Sequence, residues 1–358
     1  MAARVLLKHV GNLGDHLFLV GALLEGISVA WPQAAVTLVT AWGYKDQSGR
    51  WGKRNQDGYC IALMKENPHV THLVHWSDRD RSLAGRICRE EGRRFPTWDR
   101  AHFDRVRDFY DVATELEFGL QIEENPLARV AAAVGLPNLT LGPYPFYATA
   151  ADWDVGRSVT ASLPRPRVAL LDGLAGTSMR GWDPAKVPEL AARFRAIGIE
   201  PQWWGARHPS LFRGRPLTLR ENIAVLASYD LAIGVMGAPL HFAAAAGVPT
   251  VALYGAQPYQ RAAPGFSFNP SIPDAARQHL TVFGPTCDEP CFLKRDIPCK
   301  NLRGDARTST GFESWQQPGR QADKSCVAVI PVDTVFATAR DALERRGLLP
   351  NQGLGRFP

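Results

Sequence analysis

The stretch from Leu226 to Pro258 constrains the fold more than any other part of the chain. It contains two apolar runs, Leu231–Val235 and Pro249–Tyr254, separated by Gly237 and a run of small residues that begins at Ala238. Proline is tolerated in the first turn of a helix, and a Gly-Val-Pro sequence is typical of a helix end. The pattern therefore predicts a strand, a helix and a second strand. The free N–H groups of that helix would lie at the carboxyl end of the first strand and would favour an anion.

A similar unit opens the chain. Residues 3–10 form an apolar run that ends in a glycine-rich turn, and apolar residues with helical spacing follow from Asp15 to a Trp-Pro pair at residues 31–32. This pattern predicts a buried strand, a glycine turn and a helix. Asp15 would then lie at the start of the helix, where a carboxylate is a favoured cap.

Strand and helix patterns alternate through the rest of the chain, which implies parallel sheets covered on both faces, an α/β fold. A chain of 358 residues suits two domains. The patterns predict further strands at Val36–Thr40, Tyr59–Met64, Val70–His75, Phe109–Leu116, Val168–Leu171 and Gln202–Ala206, and helices at Arg81–Arg94, Asn125–Val134, Pro184–Ala196, Glu221–Ala227 and Val332–Arg346.

Composition shifts along the chain predict the domain boundaries. We expect a first domain over residues 1–145 and a proline-rich linker over residues 146–166. A second domain would cover residues 167–330 and include a cysteine-rich loop at 285–326. The remaining residues, 331–358, would form a helix that crosses back toward the first domain, followed by a frayed tail.

Four segments carry a family resemblance. Residues 236–245 (MGAPLHFAAA), followed by 247–255 (GVPTVALYG), resemble the pattern D-[ST]-G-x-x-H-L-[AT]-A-A and G-V-P-T-V-A-L-[FY]-G of glycosyltransferase family 9, the ADP-heptose:lipopolysaccharide heptosyltransferases. Gly14-Asp15 is similar to the G-D-x-[LV] segment that opens those enzymes, and residues 173–184 to their G-[TS]-x-x-K-x-W-P loop. Residues 204–209 (WGARHP) are also similar to a W-G-A-x-H-E turn of the family. The chain departs from the family at Met236 and Pro209, where acidic residues are usual, and at Arg180, where lysine is usual.

The resemblance implies the GT-B fold, in which two Rossmann-like domains face each other across a cleft, and an inverting, metal-independent transfer of a heptose or related sugar. Asp15 would be the general base. The loop cation and the amides of the glycine turn would stabilise the departing nucleotide diphosphate. The residues that would bind the donor, with an ADP-sugar favoured, are Gly176, Thr177, Ser178, Arg180, Leu217, Met236, Gly237, Ala238 and His241.

His241 has two interpretations that stay open. A lone histidine on a helix is commonly a packed residue, whereas one close to a strand end can donate to a phosphate. The chain has no G-x-G-x-x-G or G-x-x-x-x-G-K-[ST] motif, which argues against a dehydrogenase or a P-loop enzyme.

The net charge of +6 favours anionic partners. Residues 86–107 mix arginines and aromatics, and we expect either a solvated surface or an acceptor site formed by Arg93, Arg94, Trp98 and Arg100. The acceptor would be an anionic glycolipid, such as lipopolysaccharide, or a protein. Two alternatives stay open: a transferase that modifies bases in DNA, and a noncatalytic nucleotide-sugar-binding protein, which the missing acidic residues favour.

Four late cysteines, Cys287, Cys291, Cys299 and Cys326, lie in an irregular, proline-rich segment. A long loop of this kind needs something to hold it, and four thiolates suit a structural zinc or iron ion, although free thiols remain the alternative. The autotransporter heptosyltransferase branch of family 9 has a comparable cluster. No uninterrupted apolar run of about 18 residues is present, and the N-terminus does not resemble a signal peptide. We therefore expect a cytoplasmic protein that can contact the inner face of the membrane.

Overall fold

The structure is a computed structural model that divides into two compact units. The first comprises Met1–Trp153, Thr218–Arg220 and Ser267–Asn269, and the second comprises Asp154–Leu217, Glu221–Phe266 and Pro270–Pro358. The residues that the structure describes are 2–11, 13–42, 44–45, 51–52, 58–76, 95–116, 131–136, 144–171, 174, 181–204, 211–212, 215–235, 237–255, 279–284 and 326–349.

The first unit is built on a five-stranded parallel sheet. Its strands are β1 (Arg4–Gly11), β2 (Ala35–Trp42), β3 (His72–Trp76), β4 (Thr97–Trp98) and β5 (Val112–Glu115). Their order across the sheet is β4-β3-β2-β1-β5, and every pair is parallel. The order reverses next to β1, and the crevice at such a switch point is where open α/β sheets bind ligands.

Helix α1 (Leu13–Ala30) follows β1 and contains a π-helical turn at His16–Gly21. Helix α2 (Gly58–Met64) packs on β2 and on this turn, whereas α3 (Arg100–Val106) supplies Phe103 to the core on the other face. By length and composition α1 could cross a membrane, but 67% of it is buried inside the protein. The core helix of a soluble protein passes the same test, so its apolar character is explained by packing.

Helix α4 (Ala150–Thr160) carries the boundary between the units, between Trp153 and Asp154. Its first turn is closed by Thr149 and Asp152, since the Asp152 carboxylate accepts from the Thr149 N–H and hydroxyl at 2.8 Å each. The same carboxylate accepts from the buried guanidinium of Arg220, which also donates to the carbonyls of Tyr147 and Ala62 within the first unit. Every polar group in this cluster therefore has a partner, as burial of an ion pair requires.

The second unit has its own parallel sheet. Its strands are β6 (Val168–Leu171), β7 (Gln202–Trp204), β8 (Leu231–Val235), β9 (Thr250–Tyr254) and β10 (His279–Phe283), in the order β10-β9-β8-β6-β7. The switch point of this sheet lies between β6 and β8. Two short hairpins among the described residues, Tyr44–Lys45 with Trp51–Gly52 and Leu211–Phe212 with Arg215–Pro216, lie outside both sheets.

In the described part of the chain, four helices follow α4: α5 (Lys186–Ala196), α6 (Leu219–Leu226), α7 (Ala238–Ala245) and α8 (Val332–Arg345). Helix α8 packs on α5 and completes the core of the second unit with its buried apolar face. Within the second unit, Val332, Val335 and Leu343 fill the space between α5 and the sheet. The crossing of this helix toward the first domain stays a prediction.

The structure departs from the predicted elements at residues 59–64 and at two strands. Residues 59–64 were predicted as a strand and form α2, because a short apolar run fits a buried strand and a buried helix equally well. Strands β4 and β10 were not predicted, since β4 has two residues and β10 is half-buried and begins with a histidine. The predicted helix at 81–94 lies outside the described residues.

The contact between α4 and α6 in the second unit leaves no room for a side chain at Gly156. A Cβ on Gly156 would overlap the carbonyl oxygen of Ala224. Alanine normally stabilises a helix interior by about 1 kcal/mol relative to glycine, but overlap with backbone atoms forces the helices apart. We expect Gly156→Ala to lower the free energy of unfolding by about 1–3 kcal/mol in urea denaturation. Ser158→Ala, on the exposed side of α4, is the control and should change it by less than about 0.5 kcal/mol; equal effects would contradict the packing argument.

Candidate active site

Asp15 lies in the first turn of α1, four residues after the carboxyl end of β1. It has helical backbone angles and makes no side-chain capping bond to the π-helical turn that follows. Its exposed fraction is 9%. The helix dipole favours a carboxylate in this position. The structure therefore places the predicted general base at the switch point of the first sheet, in the first helical turn.

A row of polar side chains lies beneath Asp15, across the carboxyl end of the same sheet. His9 pairs with Thr40 and Thr40 pairs with His75 in the parallel register of β1, β2 and β3. Residues paired in this way project from the same face of a sheet. All three are buried, so this face carries a histidine row, His9–Thr40–His75, where core positions are usually apolar.

Helix α1 adds His16 to the histidine row. Its Nε2 forms a short hydrogen bond with the Thr40 hydroxyl, and its Nδ1 lies 3.6 Å from the Cys60 Sγ on α2. The His16 ring also meets the His9 ring edge-on, with centroids 4.6 Å apart. The π-helical turn begins at His16, and such turns are frequent at functional sites.

Two members of the histidine row have nitrogens without hydrogen-bond partners among the described residues. They are His9 Nε2 and both ring nitrogens of His75. Burial lowers the pKa of His75 to about 4. Burial also lowers the pKa of His9, and the negative charge of Asp15 opposes that effect. Both rings are therefore neutral near pH 7. Orphaned buried polar atoms are rare enough to need an explanation.

The opposite face of the sheet holds two of the four predicted acceptor residues. Arg100 is paired with Glu115, and its Nε donates to Asp104 at 3.0 Å. Glu115 also accepts from the buried Lys8 ammonium, at 3.0 Å. Trp98 packs against His102, with ring centroids 4.8 Å apart. The guanidinium of Arg100 thus already has carboxylate partners, and Arg93 and Arg94 lie outside the described residues.

In the second unit, parallel pairing brings the ends of β6 and β8 side by side, with Ile233 opposite Leu170. Gly237 follows β8 with extended backbone angles, φ 167° and ψ 176°, and caps α7 without a side-chain hydrogen bond. The Leu240 N–H donates to the Gly237 carbonyl at 3.2 Å, which closes the first turn. The predicted strand, glycine turn and helix are present, and the N-terminus of α7 lies at the switch point, where it favours an anion.

Hydrogen bonds hold both ends of the loop that follows β6. The Leu174 N–H donates to the Leu171 carbonyl at 3.0 Å, and the Trp182 N–H donates to the Leu174 carbonyl at 2.9 Å. The Trp182 indole is fully buried and donates to the Ile330 carbonyl at 2.9 Å. Both ends of the predicted diphosphate loop are therefore held at the end of β6. Five predicted donor residues, Gly176, Thr177, Ser178, Arg180 and Met236, lie outside the described residues.

Three other predicted donor residues are described. Leu217 is half-buried, and its carbonyl accepts from the Asn222 side chain at 3.2 Å. Ala238 is half-buried at the start of α7. His241 is fully buried, and burial together with the nearby His279 lowers its pKa to about 3. His279 is itself close to Thr250, with Nδ1 3.0 Å from the hydroxyl. A neutral His241 can take part in a site as a hydrogen-bonding group and not as a cation.

Cys326 is buried against the ends of β9 and β10. A Cβ on Gly255 would lie 3.0 Å from the Cys326 Cβ, and a Cβ on Gly284 would overlap the Cys326 carbonyl oxygen. Gly284 is three residues before Cys287, so the chain leaves β10 next to Cys326. Cys287, Cys291 and Cys299 lie outside the described residues, and within the described part no three His, Cys, Asp or Glu side chains form a metal-binding group.

Comparisons with known proteins agree with this architecture. The family model described as "Glycosyltransferase family 9 (heptosyltransferase)" matches residues 215–292. A glycosyl transferase family 9 structure from Veillonella parvula is similar with a TM-score of 0.54 and 15% identity, over 78% of this chain and 85% of that one. The ADP-heptose lipopolysaccharide heptosyltransferase II of E. coli is similar with a TM-score of 0.50 and 13% identity, over 96% of this chain and 99% of that one.

A third similar structure is the iron-containing dodecameric glycosyltransferase TibC of enterotoxigenic E. coli, with a TM-score of 0.51 and 14% identity, over 97% of this chain and 78% of that one. A further structure of TibC contains ADP-D-β-D-heptose. A search of curated protein sequences found no match.

The two parallel sheets and these neighbours define an α/β protein of the GT-B class, as predicted. Within that class, the family-model match confirms the resemblance to glycosyltransferase family 9, and with it the class of glycosyltransferases. The matched segment contains β8, the Gly237 turn, α7 and β9.

The substitutions Gly237→Ala and Gly234→Ala separate an effect on anion binding from an effect on packing. A Cβ on Gly237 would meet only an ordinary contact, 3.7 Å from Pro239, whereas a Cβ on Gly234 would lie 2.8 Å from the Leu171 side chain. We expect Gly237→Ala to shift Tm by less than about 2 °C and to weaken ADP binding about tenfold, because a methyl group keeps a pyrophosphate away from the amides. Gly234→Ala should lower Tm and leave the ADP affinity of the folded protein unchanged. Calorimetry with ADP measures both, and unaltered ADP affinity in Gly237→Ala would contradict an anion site at this turn.

The buried histidines of the second unit make its stability depend on pH. His241 and His279 have folded-state pKa values of about 3 and about 4, below the unfolded value of about 6.5. Their neutral forms are therefore favoured by folding, and this contribution is present above about pH 6.5 and is lost as the pH falls toward the folded values. We expect the Tm of wild type to fall between pH 6.5 and 4 more steeply than that of His241→Leu. Parallel curves of Tm against pH would refute this assignment.

Proposed function

We propose that this protein is an inverting, metal-independent glycosyltransferase that moves a heptose or a related sugar from a nucleotide diphosphate to a lipopolysaccharide-type glycan or a protein. The observation that carries the proposal is the glycine turn at the switch point of the second sheet, inside the segment that matches family 9. The described residues offer no support for a DNA-modifying enzyme, since Arg100 is paired internally.

The first unit supplies the base. In the proposed reaction the Asp15 carboxylate takes the proton of the acceptor hydroxyl as its oxygen attacks the anomeric carbon. The bond between that carbon and the diphosphate oxygen breaks as the new bond forms, so the configuration inverts. Low exposure and a position at a switch point suit a general base. The two missing acidic residues, at positions 209 and 236, do not affect this step.

The second unit stabilises the leaving group. The diphosphate departs with negative charge, and the amides at the start of α7 and the helix dipole would stabilise it. Arg180 would add a cation through the loop whose ends are held by Leu174 and Trp182. The turn is half-buried and carries no capping side chain. This arrangement leaves room for a phosphate at the helix N-terminus.

An ADP-linked heptose is the donor we favour. Support comes from two structural neighbours, an ADP-heptose-dependent transferase and an enzyme whose structure holds ADP-D-β-D-heptose. Met236 replaces the family's acidic residue near the donor sugar, so the sugar would be held by fewer hydrogen bonds. The acceptor is an anionic glycolipid or a protein, and the net charge of +6 would favour either at an anionic membrane face in the cytoplasm.

We also propose a structural metal ion, zinc or iron, held by Cys287, Cys291, Cys299 and Cys326. The fit rests on Cys326, which is buried where the chain leaves β10 toward Cys287. When bound, the ion would fix the cysteine-rich loop by binding four thiolates, and it takes no part in the transfer reaction. The iron of TibC is a property of that neighbour.

The assignment of Asp15 is tested with ADP-D-β-D-heptose and a panel of lipopolysaccharide and protein acceptors. We expect Asp15→Asn to lower kcat by about 10²- to 10⁴-fold, the usual contribution of a general base, with ADP affinity within about twofold of wild type because ADP binds the second unit. Asp111→Asn removes an exposed carboxylate of the same unit that pairs with Arg4, and it should keep full activity. A fully active Asp15→Asn variant rejects the proposed mechanism.

A further inference from the structure

The carbonyl oxygen of Ile330 accepts two hydrogen bonds from the chain that follows β6. The Trp182 indole Nε1 donates to it at 2.9 Å, and the Lys186 ammonium donates to it at 2.9 Å. The same ammonium also donates to the Ala328 carbonyl at 2.6 Å. Because a carbonyl oxygen has two lone pairs, the Ile330 oxygen is fully used by these two side chains.

Lys186 is the first residue of α5 and is half-buried. A cation in the first turn of a helix is disfavoured by the helix dipole, so this lysine needs a local reason to be there. No carboxylate in the described part of the chain pairs with it, and its partners are the two carbonyls. Hydrogen bonds donated by a charged group are stronger than those between neutral groups. The ammonium therefore fixes the backbone at residues 328–330.

Residues 326–330, the support segment, begin against the ends of two strands. An ideal Cβ on Gly255, directly after β9, would lie 2.7 Å from Val327 Cγ2, and one on Gly284, directly after β10, would overlap the Cys326 carbonyl oxygen. Ile330 at the other end is fully buried, and α8 begins two residues later. The support segment thus runs along the carboxyl edge of the second sheet, from β9 and β10 to the loop after β6.

The returning end of the predicted diphosphate loop rests on the support segment. Trp182 is fully buried, and its backbone N–H donates to the Leu174 carbonyl while its indole donates to Ile330. The Lys186 N–H donates to the Asp183 carbonyl at 3.0 Å, which joins α5 to this end of the loop. A buried indole N–H is costly to leave without an acceptor. A displacement of the Ile330 carbonyl would therefore be passed to Trp182.

We propose that Lys186 is a positioning residue for the diphosphate of the donor. Its ammonium fixes the carbonyls of the support segment, the Ile330 carbonyl holds Trp182, and Trp182 holds the returning end of the loop. The inference rests on the proposed function, which assigns this loop to the diphosphate. Lys186 acts through Trp182, so its removal would loosen the loop at one of its two fixed ends.

The first test needs no ligand. Hydrogen exchange of indole N–H groups is followed by NMR in protein labelled with ¹⁵N-tryptophan, and the signal lost in Trp182→Phe assigns Trp182. Trp204, assigned in the same way, is the internal reference because its indole donates to the Asn222 carbonyl at 3.1 Å in the same unit. We expect Lys186→Met to speed exchange about tenfold or more at Trp182 and less than about twofold at Trp204. Unchanged exchange at Trp182, or equal acceleration at both indoles, overturns the proposal.

The second test is calorimetry with ADP. Lys186→Met removes the ammonium and keeps the length of the side chain, and Lys186→Gln takes its place if that variant fails to fold. Lys186→Arg keeps a cation that can donate to two carbonyls. Arg193→Met is the control, because Arg193 also lies on α5 and pairs with Asp333 of α8 at 3.0 Å. We expect ADP binding to weaken about tenfold in Lys186→Met and to stay within about threefold of wild type in Lys186→Arg and Arg193→Met.

The outcomes separate this inference from the function on which it rests. Equal ADP affinity in wild type and Lys186→Met overturns the role of Lys186 and leaves the proposed function in place. A loss that Lys186→Arg does not restore, or that Arg193→Met shares, also overturns it, because it would report general damage to α5. Absence of ADP binding by the wild type would count against the proposed function, and the indole exchange would still decide whether Lys186 holds Trp182.

Discussion

Parallel pairing between strands is the constraint on which both units depend. Hydrogen bonds between parallel strands align all carboxyl ends along one edge of a sheet, and the order of the strands decides which two loops meet there. In the first unit this places Asp15 after β1, where the order reverses. In the second it places the Gly237 turn beside the end of β6. The position of the candidate site in each unit is thus set by the backbone pairing of the strands.

The histidine row places buried polar atoms in the core of the first unit, next to its candidate site. Apolar residues at positions 9 and 75 would carry no ring nitrogens, whereas His9 and His75 bury nitrogens that have no partner in the described part of the chain. Real proteins break a packing rule chiefly where function requires it. The cost is confined to the carboxyl end, since the residues beneath the row on the same face, Val5, Leu7 and Leu38, are apolar and fully or almost fully buried.

The sequence was a good guide where local patterns decide the structure. The glycine turn and proline at 237–239 predicted α7, and the strands at 168–171 and 231–235 were predicted with their observed bounds. Residues 59–64 formed a helix because neighbouring elements, and not periodicity, selected between strand and helix. The histidine row was missed because it depends on register between β1, β2 and β3. A signal was present, since His9 follows Val5 and Leu7, and His75 follows Leu73, at every second position of their strands.

The place of α8 in the second unit has a consequence for synthesis of the protein on the ribosome. The core around β8 stays open until Val335 and Leu343 have left the exit tunnel, because these side chains are among the buried ones. The first sheet is complete by residue 115. The first sheet can thus form early in synthesis, whereas the core of the second unit can form only after α8 has been synthesised. Premature termination before residue 332 would release a chain with a formed first sheet and an exposed apolar surface in its second unit, a substrate for chaperones and proteases.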